Sequence, residues 1–218
     1  MEQKEFEESL KRIEESMRIP IPDIRDRISD DDISDNQPYF VNATVVCVVV
    51  ESGYDSPQTM QSFISEASNI VMSHDICKGI ICTDCRMWIV YSTAYKEELN
   101  AALDDVARIR SLAMIVTKIG KFYGHESIKV NIGMDFGLVK MYLMGYDLCG
   151  SPRFAWDGPA IKIAQKNAEE ANDELIISRT VWNNLTEKNQ KMFTRQGVAI
   201  DNYRGRIVNV MMNNWLTK

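Results

Sequence analysis

The sequence lacks any long hydrophobic run. Its most apolar stretch of strand type, Ala43 to Val50, stops at Glu51, well short of the roughly 18 residues that a membrane-spanning helix needs. The N-terminal segment MEQKEFEESLKRIEESM also has no apolar stretch of the kind found in signal peptides. We therefore expect a cytoplasmic protein without a membrane span.

Basic residues are in the minority. The chain has 25 Lys and Arg against 31 Asp and Glu, a formal net charge of −6 and a sequence pI near 5.1. This balance gives no general attraction to nucleic acid or anionic lipid, so we expect neither as a partner. Any phosphate-bearing ligand must be held by local groups. Five cysteines, an odd number without an export signal, predict reduced thiols rather than a disulfide framework.

The composition predicts one domain with an N-terminal extension. A chain of 218 residues, 45% of them hydrophobic, can bury one substantial core. Residues 1–40 are predicted to be an amphipathic helix followed by an acidic linker or lid, Arg18 to Pro38. The helix is indicated by Phe6, Leu10, Ile13 and Met17, which recur at helical spacing. Residues 41–218 are predicted to form the domain itself.

Strand and helix patterns alternate along that domain. The run Ala43 to Val50 is rich in β-branched residues, which is typical of a strand covered on both faces. The predicted order is strand, helix, hairpin, long helix, hairpin, helix, strand, helix and hairpin, with hairpin turns at Asp84, at Gly137 and at Arg204-Gly205. This order predicts an α+β fold, a mixed sheet with helices packed against it.

Several segments together resemble the class III nucleotide cyclase homology domain, the catalytic domain of adenylate and guanylate cyclases. The segments are VVCVVVESGY (45–54), CTDCRMWIVY (82–91), NIGMDFGLV (131–139) and WDGPAIKIAQK (156–166). They match the opening strand of that family, its Gly-Asp hairpin, its Gly-rich strand pair and the helix that presents polar groups to the nucleotide. The resemblance covers about residues 40 to 212 and implies a class III cyclase-like fold with a ferredoxin-like core.

The form GMDFG, with WDGPA and Lys166, is similar to the bacterial pyrimidine cyclases of the Pycsar antiphage defence systems. The purine-recognising aspartate of adenylate cyclases would align with Ala155, which argues against adenine recognition by that route. This resemblance implies conversion of UTP or CTP to a 3′,5′-cyclic nucleotide and pyrophosphate. The cyclic product would activate a separate effector protein.

The family reaction needs a pair of carboxylates. In-line attack of the ribose 3′-oxygen on the α-phosphate uses two metal ions, Mg²⁺ or Mn²⁺, held by oxygen ligands. The resemblance implies Asp84 as one metal ligand, although an aspartate at a hairpin tip is also a common turn residue. The second acid is expected where the sequence has Val49 and Val50, and neither can bind a metal. Glu51 would replace it if the strand ended in a shifted register, since neighbouring strand residues point to opposite faces.

The resemblance also implies residues that contact the nucleotide. Lys162 and Lys166 match the catalytic asparagine and arginine of the family, and their spacing of four residues places both on one helix face. Lysine is a point charge without the arginine fork, and a solvated basic helix face explains the pair equally well. Arg86, Arg153 and Trp156 are predicted base or phosphate contacts, and Trp156 is also a candidate core residue.

Three functions stay open at this point. The first is an active cyclase, and the second is a pseudoenzyme that binds a nucleoside triphosphate but lacks one metal-binding carboxylate. Class III sites lie between two subunits, so the resemblance implies a homodimer, or a heterodimer whose intact partner supplies the missing acid. The third is a small zinc-binding domain, based on the spacing of His74, Cys77, Cys82 and Cys85.

Overall fold

The computed structural model describes residues 3–18, 24–28, 39–52, 57–83, 85–146, 152–196 and 202–216. Its helices are α1 (Gln3–Met17), α2 (Pro57–Met72), α3 (Lys96–Phe122), α4 (Pro159–Glu170), α5 (Arg179–Asn184), α6 (Glu187–Gln190) and α7 (Val210–Leu216). Its strands are β1 (Ile24–Arg25), β2 (Tyr39–Ser52), β3 (Cys77–Thr83), β4 (Arg86–Tyr91), β5 (Ile128–Tyr146), β6 (Pro152–Asp157), β7 (Leu175–Ser178), β8 (Thr194–Gln196) and β9 (Asn202–Gly205). None of these helices is both long and apolar enough to cross a bilayer.

Strand β2 lies inside one mixed sheet. The strand order is β3-β4-β2-β5-β7-β9-β8, with β1 added to β2 and β6 added to β5. Strand β2 is antiparallel to β4 and β5, whereas β5 and β7 are parallel. Every side chain from Ala43 to Val48 is buried, which confirms the prediction of a strand covered on both faces. The architecture confirms the predicted α+β class.

The two faces of the sheet carry different helices. Val46, Val48 and Val50 pack into a core with residues of α2 and α3, and this side is called the α2/α3 face below. Val45 and Cys47 point the other way and pack against alanines of α4, so this side is called the α4 face. The alternation follows from the two-residue period of a strand.

Helix α4 lies very close to β5 because the contact residues are small. Ala160, Ala164 and Ala168 are fully buried against the sheet. A Cβ atom built on Gly133 would lie 2.0 Å from the carbonyl oxygen of Ala164 and 2.4 Å from the amide nitrogen of Ala168. Glycine at 133 therefore allows the helix backbone to contact the strand backbone.

The predicted turn at Gly137 is wrong. Strand β5 runs without interruption through this residue, which pairs with Ala43 of β2. A Cβ on Gly137 would lie 3.7 Å from the Cβ of Ala160, so the glycine leaves room for the first turn of α4. The strand does not need to turn here because the long strand β2 offers hydrogen-bond partners along this whole stretch.

The predicted turn at Arg204-Gly205 is also wrong. Both residues lie within β9, which pairs with β7 and β8. A Cβ on Gly205 would lie 2.8 Å from the carbonyl oxygen of Met192. The glycine therefore allows close contact with the segment before β8. The last described residues form helix α7, where a strand was predicted.

The N-terminal extension is described in part. Helix α1 is present as predicted, and its Leu10, Ile13 and Met17 are exposed. Most of the predicted linker lies outside the described residues. Its described part includes strand β1, parallel to β2, and Ile28, which is buried in the core of the α4 face. The division between residues 40 and 41 stays a prediction.

Candidate functional site

The β3-β4 hairpin is attached to the end of β2. Thr83 and Arg86 face each other across the hairpin, and the backbone N–H of Val50 donates a hydrogen bond of 2.8 Å to the carbonyl oxygen of Cys85. Asp84, the predicted metal ligand, lies outside the described residues. Its neighbour Cys85 nevertheless fixes the hairpin turn beside the last residues of β2. The metal role of Asp84 stays a prediction.

The end of β2 presents hydrocarbon where the second acid is expected. Val49 is half-buried on the α4 face, and Val50 is 3% exposed in the core of the α2/α3 face. Glu51 continues the strand in regular register with Lys129, so the register shift considered above does not occur. The exposed carboxylate of Glu51 accepts a hydrogen bond of 2.7 Å from Nδ2 of Asn131. Glu51 shares the α4 face with Val49 and not with Val50.

Arg86 places a positive charge beside the same strand end. It faces Val49 in the β2-β4 register and lies on the α4 face. Its Nη2 donates a hydrogen bond of 3.2 Å to Oε1 of Glu169 on α4. Its Nε is buried and has no hydrogen-bond partner among the described residues. The hairpin and helix α4 therefore contact each other directly, through residues 83 positions apart.

The thiol of Cys47 lies close to this ion pair. Burial raises the pKa of the Cys47 thiol to about 12; the positive charge of Arg86 acts to lower it, and the negative charge of Glu169 acts to raise it. Both charges act on a residue of the central strand. This places the Arg86–Glu169 pair over β2, between the hairpin and α4.

Lys162 and Lys166 extend from the exposed side of α4. Their side chains are 77% and 65% exposed, and each lies near a carboxylate of its own chain. The Nζ of Lys162 is 3.9 Å from Asp157, and the Nζ of Lys166 is 3.8 Å from Glu170. Such exposed ion pairs contribute little to stability. Both side chains are therefore able to turn to a phosphate, and a solvated basic face also remains consistent with their positions.

An aromatic pocket lies on the α4 face beside these residues. It has a volume of about 260 Å³ and is lined by Gly79, Ile81, Thr83, Trp88, Val90, Trp156 and Ile161. Trp156 is half-buried and packs so closely over β3 that a Cβ on Gly79 would lie 2.8 Å from its Cζ2. Trp156 is thus a packed residue that also lines a pocket. Arg153 lies in β6, and its side chain is outside the described part of the structure.

Asp135 is a buried carboxyl that the sequence analysis did not select. It is 3% exposed on β5 and lines a cleft of about 410 Å³ together with Lys166, Ser178 and Asn202. Burial raises the pKa of Asp135, and hydrogen bonds from the Ser178 side chain and the Phe136 backbone oppose this shift. The signal was present in the sequence, since an acid inside an alternating β-rich segment predicts one polar side chain on a packed face.

The described residues do not by themselves fit a two-metal site. Among them, no group of three His, Cys, Asp or Glu side chains is arranged to hold a metal ion. The end of β2 supplies one carboxylate, that of Glu51, which is already hydrogen-bonded to Asn131. The two valines supply no ligand, and Arg86 faces Val49 with a charge that would repel a cation.

The four residues of the zinc hypothesis are spread over the structure. The Nδ1 of His74 lies 2.9 Å from Oδ2 of the buried Asp105. Cys77 and Cys82 pair with Tyr91 and Met87 of β4, a separation of four strand residues or about 13 Å. In this arrangement Cys77 and Cys82 cannot bind one ion, so a zinc site would have to use fewer of the four residues.

Solved structures with the same architecture are nucleotide cyclase domains and a cyclase-like protein. The adenylyl cyclase CyaB from P. aeruginosa is 10% identical with a TM-score of 0.65, over 80% of this chain and 98% of that chain. A class III adenylyl cyclase-like ATP-binding protein from Pseudomonas aeruginosa is 12% identical with a TM-score of 0.68, over 95% of this chain and 49% of that chain. The fold is that of class III nucleotide cyclases.

A third structure agrees with this assignment. The guanylate cyclase domain of RhGC from Catenaria anguillulae, in complex with GTP, is 15% identical with a TM-score of 0.56, over 79% of this chain and all of that chain. No protein-family model and no curated protein matches the sequence. At these identities the likeness to the class III cyclases establishes the fold, and the activity has to be argued from the site.

Proposed function

We propose that this chain is a nucleotide cyclase-like protein that binds a nucleoside triphosphate and is impaired in catalysis when alone. The observation that carries this proposal is the contact between Arg86 at the start of β4 and Glu169 on α4. It brings the hairpin that contains Asp84 against the helix that contains Lys162 and Lys166. Basic side chains from two elements are therefore available to one triphosphate.

The impairment follows from the end of β2. Two-metal catalysis stabilises both the attacking and the leaving oxygen, so the loss of one carboxylate weakens both metal positions. Val50 is buried in the core of the α2/α3 face and Val49 is packed on the α4 face, so neither position offers a ligand. Asp84 and Glu51 are the carboxylates that we propose for any Mg²⁺ or Mn²⁺ that the protein uses, and Glu51 would have to exchange its hydrogen bond with Asn131 for the metal ion.

The proposed site lies between two chains. A second copy would make a homodimer, and an intact cyclase would make a heterodimer in which the partner supplies the missing acid. One similar structure is described as a non-canonical dimeric guanylyl cyclase domain, and another as a cyclase-like ATP-binding protein. The second description supports triphosphate binding, and the first supports association into a dimer. Light scattering should show a dimer, and a monomer at all concentrations would count against the shared site.

The pyrimidine-specific alternative is an active Pycsar-type cyclase that converts UTP or CTP and signals to a separate effector. The aromatic pocket supports it, because its volume of about 260 Å³ is small and its lining includes Trp88 and Trp156. A planar pyrimidine could stack on such a surface. Arg86, Arg153 and Trp156 are the proposed base or phosphate contacts.

The first experiment measures binding and turnover separately. Each of the four ribonucleoside triphosphates is titrated into the purified chain, and each is also incubated with the chain and Mn²⁺ and analysed for cyclic product and pyrophosphate. We expect binding without product. Product that is lost in Asp84→Ala would instead establish the active cyclase, and the absence of binding by every nucleotide would refute triphosphate recognition.

A matched pair of variants tests the role of α4. Replacing both Lys162 and Lys166 by alanine should weaken triphosphate binding about tenfold or more, because a hydrogen bond to a charged group contributes about 1.5–3 kcal/mol. The control replaces Lys188 and Lys191, two exposed lysines close in sequence at helix α6, and should leave the affinity unchanged. Equal losses in the two variants would mean that net charge, and not α4, determines binding.

A further inference from the structure

A cationic side chain lies next to the strand end at which the resemblance implies a metal ion. Arg86 faces Val49 across the β2-β4 ladder and follows the hairpin turn by one residue. The neighbouring β2 positions are hydrocarbon, and Glu51 is engaged by Asn131. Among the described residues, a divalent cation at this place would meet the positive charge of Arg86 and two carboxylates that are already engaged, Glu51 by Asn131 and Glu169 by Arg86 itself. A metal ion would have to displace one of these partners and approach the guanidinium, whereas an anion would only take the place of Glu169 on Arg86.

The guanidinium of Arg86 has an unused donor. Its Nη2 contacts Glu169, while its Nε is buried and has no hydrogen-bond partner among the described residues. An unsatisfied buried donor is costly, and it is more costly when the group is charged. The planar guanidinium is suited to bidentate binding of phosphate oxygens. Once the side chain turns away from Glu169 and uncovers Nε, a phosphate that reaches both Nε and an Nη would remove this deficiency.

Glu169 can release Arg86 without losing all of its own contacts. The side chains of Arg86 and Glu169 are 41% and 46% exposed, so their ion pair is of the weak surface type. Oε1 of Glu169 also accepts a hydrogen bond of 2.8 Å from Nε2 of Gln165. When Arg86 turns to a phosphate, Gln165 still holds the carboxylate. Glu169 therefore acts as a reversible partner that neutralises Arg86 in the absence of an anion.

We propose that the Arg86 guanidinium takes the place of a divalent metal ion at this site, so that the chain binds the triphosphate of a nucleotide without a metal. This inference rests on the triphosphate binding proposed above. Binding then exchanges the carboxylate of Glu169 for phosphate oxygens on the same guanidinium. The consequence is a site that recognises free nucleotide, which a metal-dependent cyclase site would not do.

The test compares nucleotide affinity in excess EDTA and in excess MgCl₂, with the nucleotide that binds best. For the unchanged protein we expect the two dissociation constants to agree within about threefold. Arg86→Gln should weaken binding in EDTA by about tenfold or more, and Arg86→Lys should give an intermediate loss because it keeps the charge without the fork. Glu169→Gln should tighten binding in EDTA by about two- to fivefold, the range of a surface ion pair.

Control variants show whether these effects are local. Arg27→Gln removes an arginine from a comparable pair, since Arg27 contacts Glu98 at 2.6 Å. Glu97→Gln removes an exposed carboxylate from the first turn of α3. Both controls should leave the affinity in EDTA unchanged. Thermal unfolding of every variant identifies any loss that is caused by misfolding, and Arg86→Lys remains informative if Arg86→Gln does not fold.

Each outcome decides between the two proposals. Binding in MgCl₂ but not in EDTA would overturn metal replacement and would leave triphosphate recognition standing. Binding in EDTA that survives Arg86→Gln would also overturn the role of Arg86. No binding in either condition would refute triphosphate recognition itself, and metal replacement with it. Metal-free binding that depends on Arg86 and tightens in Glu169→Gln would establish the inference.

Discussion

Replacing Gly133 by alanine is expected to separate helix α4 from the sheet. The added Cβ would lie 2.0 Å from the carbonyl oxygen of Ala164 and 2.4 Å from the amide nitrogen of Ala168, whereas ordinary contacts begin near 3.4 Å. The helix backbone would have to move by the difference between 3.4 and 2.0 Å, which is 1.4 Å. No rotamer change relieves this overlap because both nearest atoms belong to the backbone.

The expected loss of stability is large for one methyl group. Overpacking a core costs about 1–3 kcal/mol, and we expect the upper end, about 3 kcal/mol, because two backbone atoms are involved. For a chain of this size that loss corresponds to a decrease in melting temperature of about 6–12 °C. A displaced α4 would also lengthen the 3.2 Å contact between Arg86 and Glu169. The variant should therefore bind nucleotide more weakly even at temperatures at which it is still folded.

Gly120→Ala is the matched control for Gly133→Ala. Gly120 lies in helix α3, and a Cβ there would meet its nearest neighbour, the Cβ of His125, at an ordinary 3.5 Å. Alanine should therefore stabilise the protein by about 0.5–1 kcal/mol through its helix preference. Urea unfolding followed by tryptophan fluorescence measures both variants. If the free energy of unfolding of Gly133→Ala were within about 1 kcal/mol of that of the unchanged protein, the close approach of α4 to β5 would be refuted.

Three further measurements test other parts of the structure. Burial raises the pKa of Asp135 in the folded protein. Its favourable contribution to the free energy of unfolding is therefore complete below the pKa that it has in the unfolded chain, and is lost as the pH rises through its pKa in the folded protein. Asp135→Asn should remove this loss of stability with rising pH, measured by urea unfolding at several pH values. A profile identical to that of the unchanged protein would contradict the prediction. In native protein near pH 8, a thiol reagent should label the exposed Cys85 and leave the buried Cys47, whose pKa is about 12, unlabelled by peptide mapping. Gly158→Ala should destabilise the protein far more than Gly124→Ala. Both glycines have positive φ, but only at position 158 would a Cβ meet backbone, at 2.6 Å from the Leu138 carbonyl oxygen. Equal melting temperatures for the two variants would refute this prediction.

The elements of the core were predictable because their patterns are local. The β-branched run around Val46 has the composition of a strand covered on both faces, and in the structure its side chains are buried on both faces of the sheet. The helical spacing of Phe63 and Ala67, both fully buried, identified α2 in the same way. In each case the residues that determine the element lie within a few positions of one another. Local periodicity is sufficient for such elements.

The glycines were misread because one residue type serves two purposes. Gly137 and Gly205 were predicted to turn the chain, but each lies in a strand where another segment approaches closely. The approaching residues, Ala160 and Met192, are 23 and 13 positions away in the sequence, and no local pattern indicates them. A glycine in a β-rich run is therefore ambiguous until the packing is known.

The sequence suggested residues for the site, whose roles stay predictions, but it did not indicate their contacts. Arg86 and Lys166 were selected by resemblance, but the partner of Arg86 is Glu169, which had no apparent role in the sequence. Such a pair depends on how α4 crosses the sheet, and this crossing is set by Gly133 and the alanines of the helix. The chemistry of the site thus depends on the packing of small residues away from any charge.

The charges around α4 indicate how an acidic chain would hold the polyanion that we propose as its ligand. Arg86, Lys162 and Lys166 each lie within 4 Å of a single carboxylate, so this region has little local excess of positive charge. Exposed pairs of this kind are worth at most about 1 kcal/mol, and a triphosphate presents several negative charges to the same cations at once. We expect the proposed exchange to be favourable because one ligand would replace three weak partners, each of which would return to water or to a neighbour such as Gln165. The formal charge of −6 should then disfavour non-specific polyanions at long range, and we expect the three cations to select a compact one at short range.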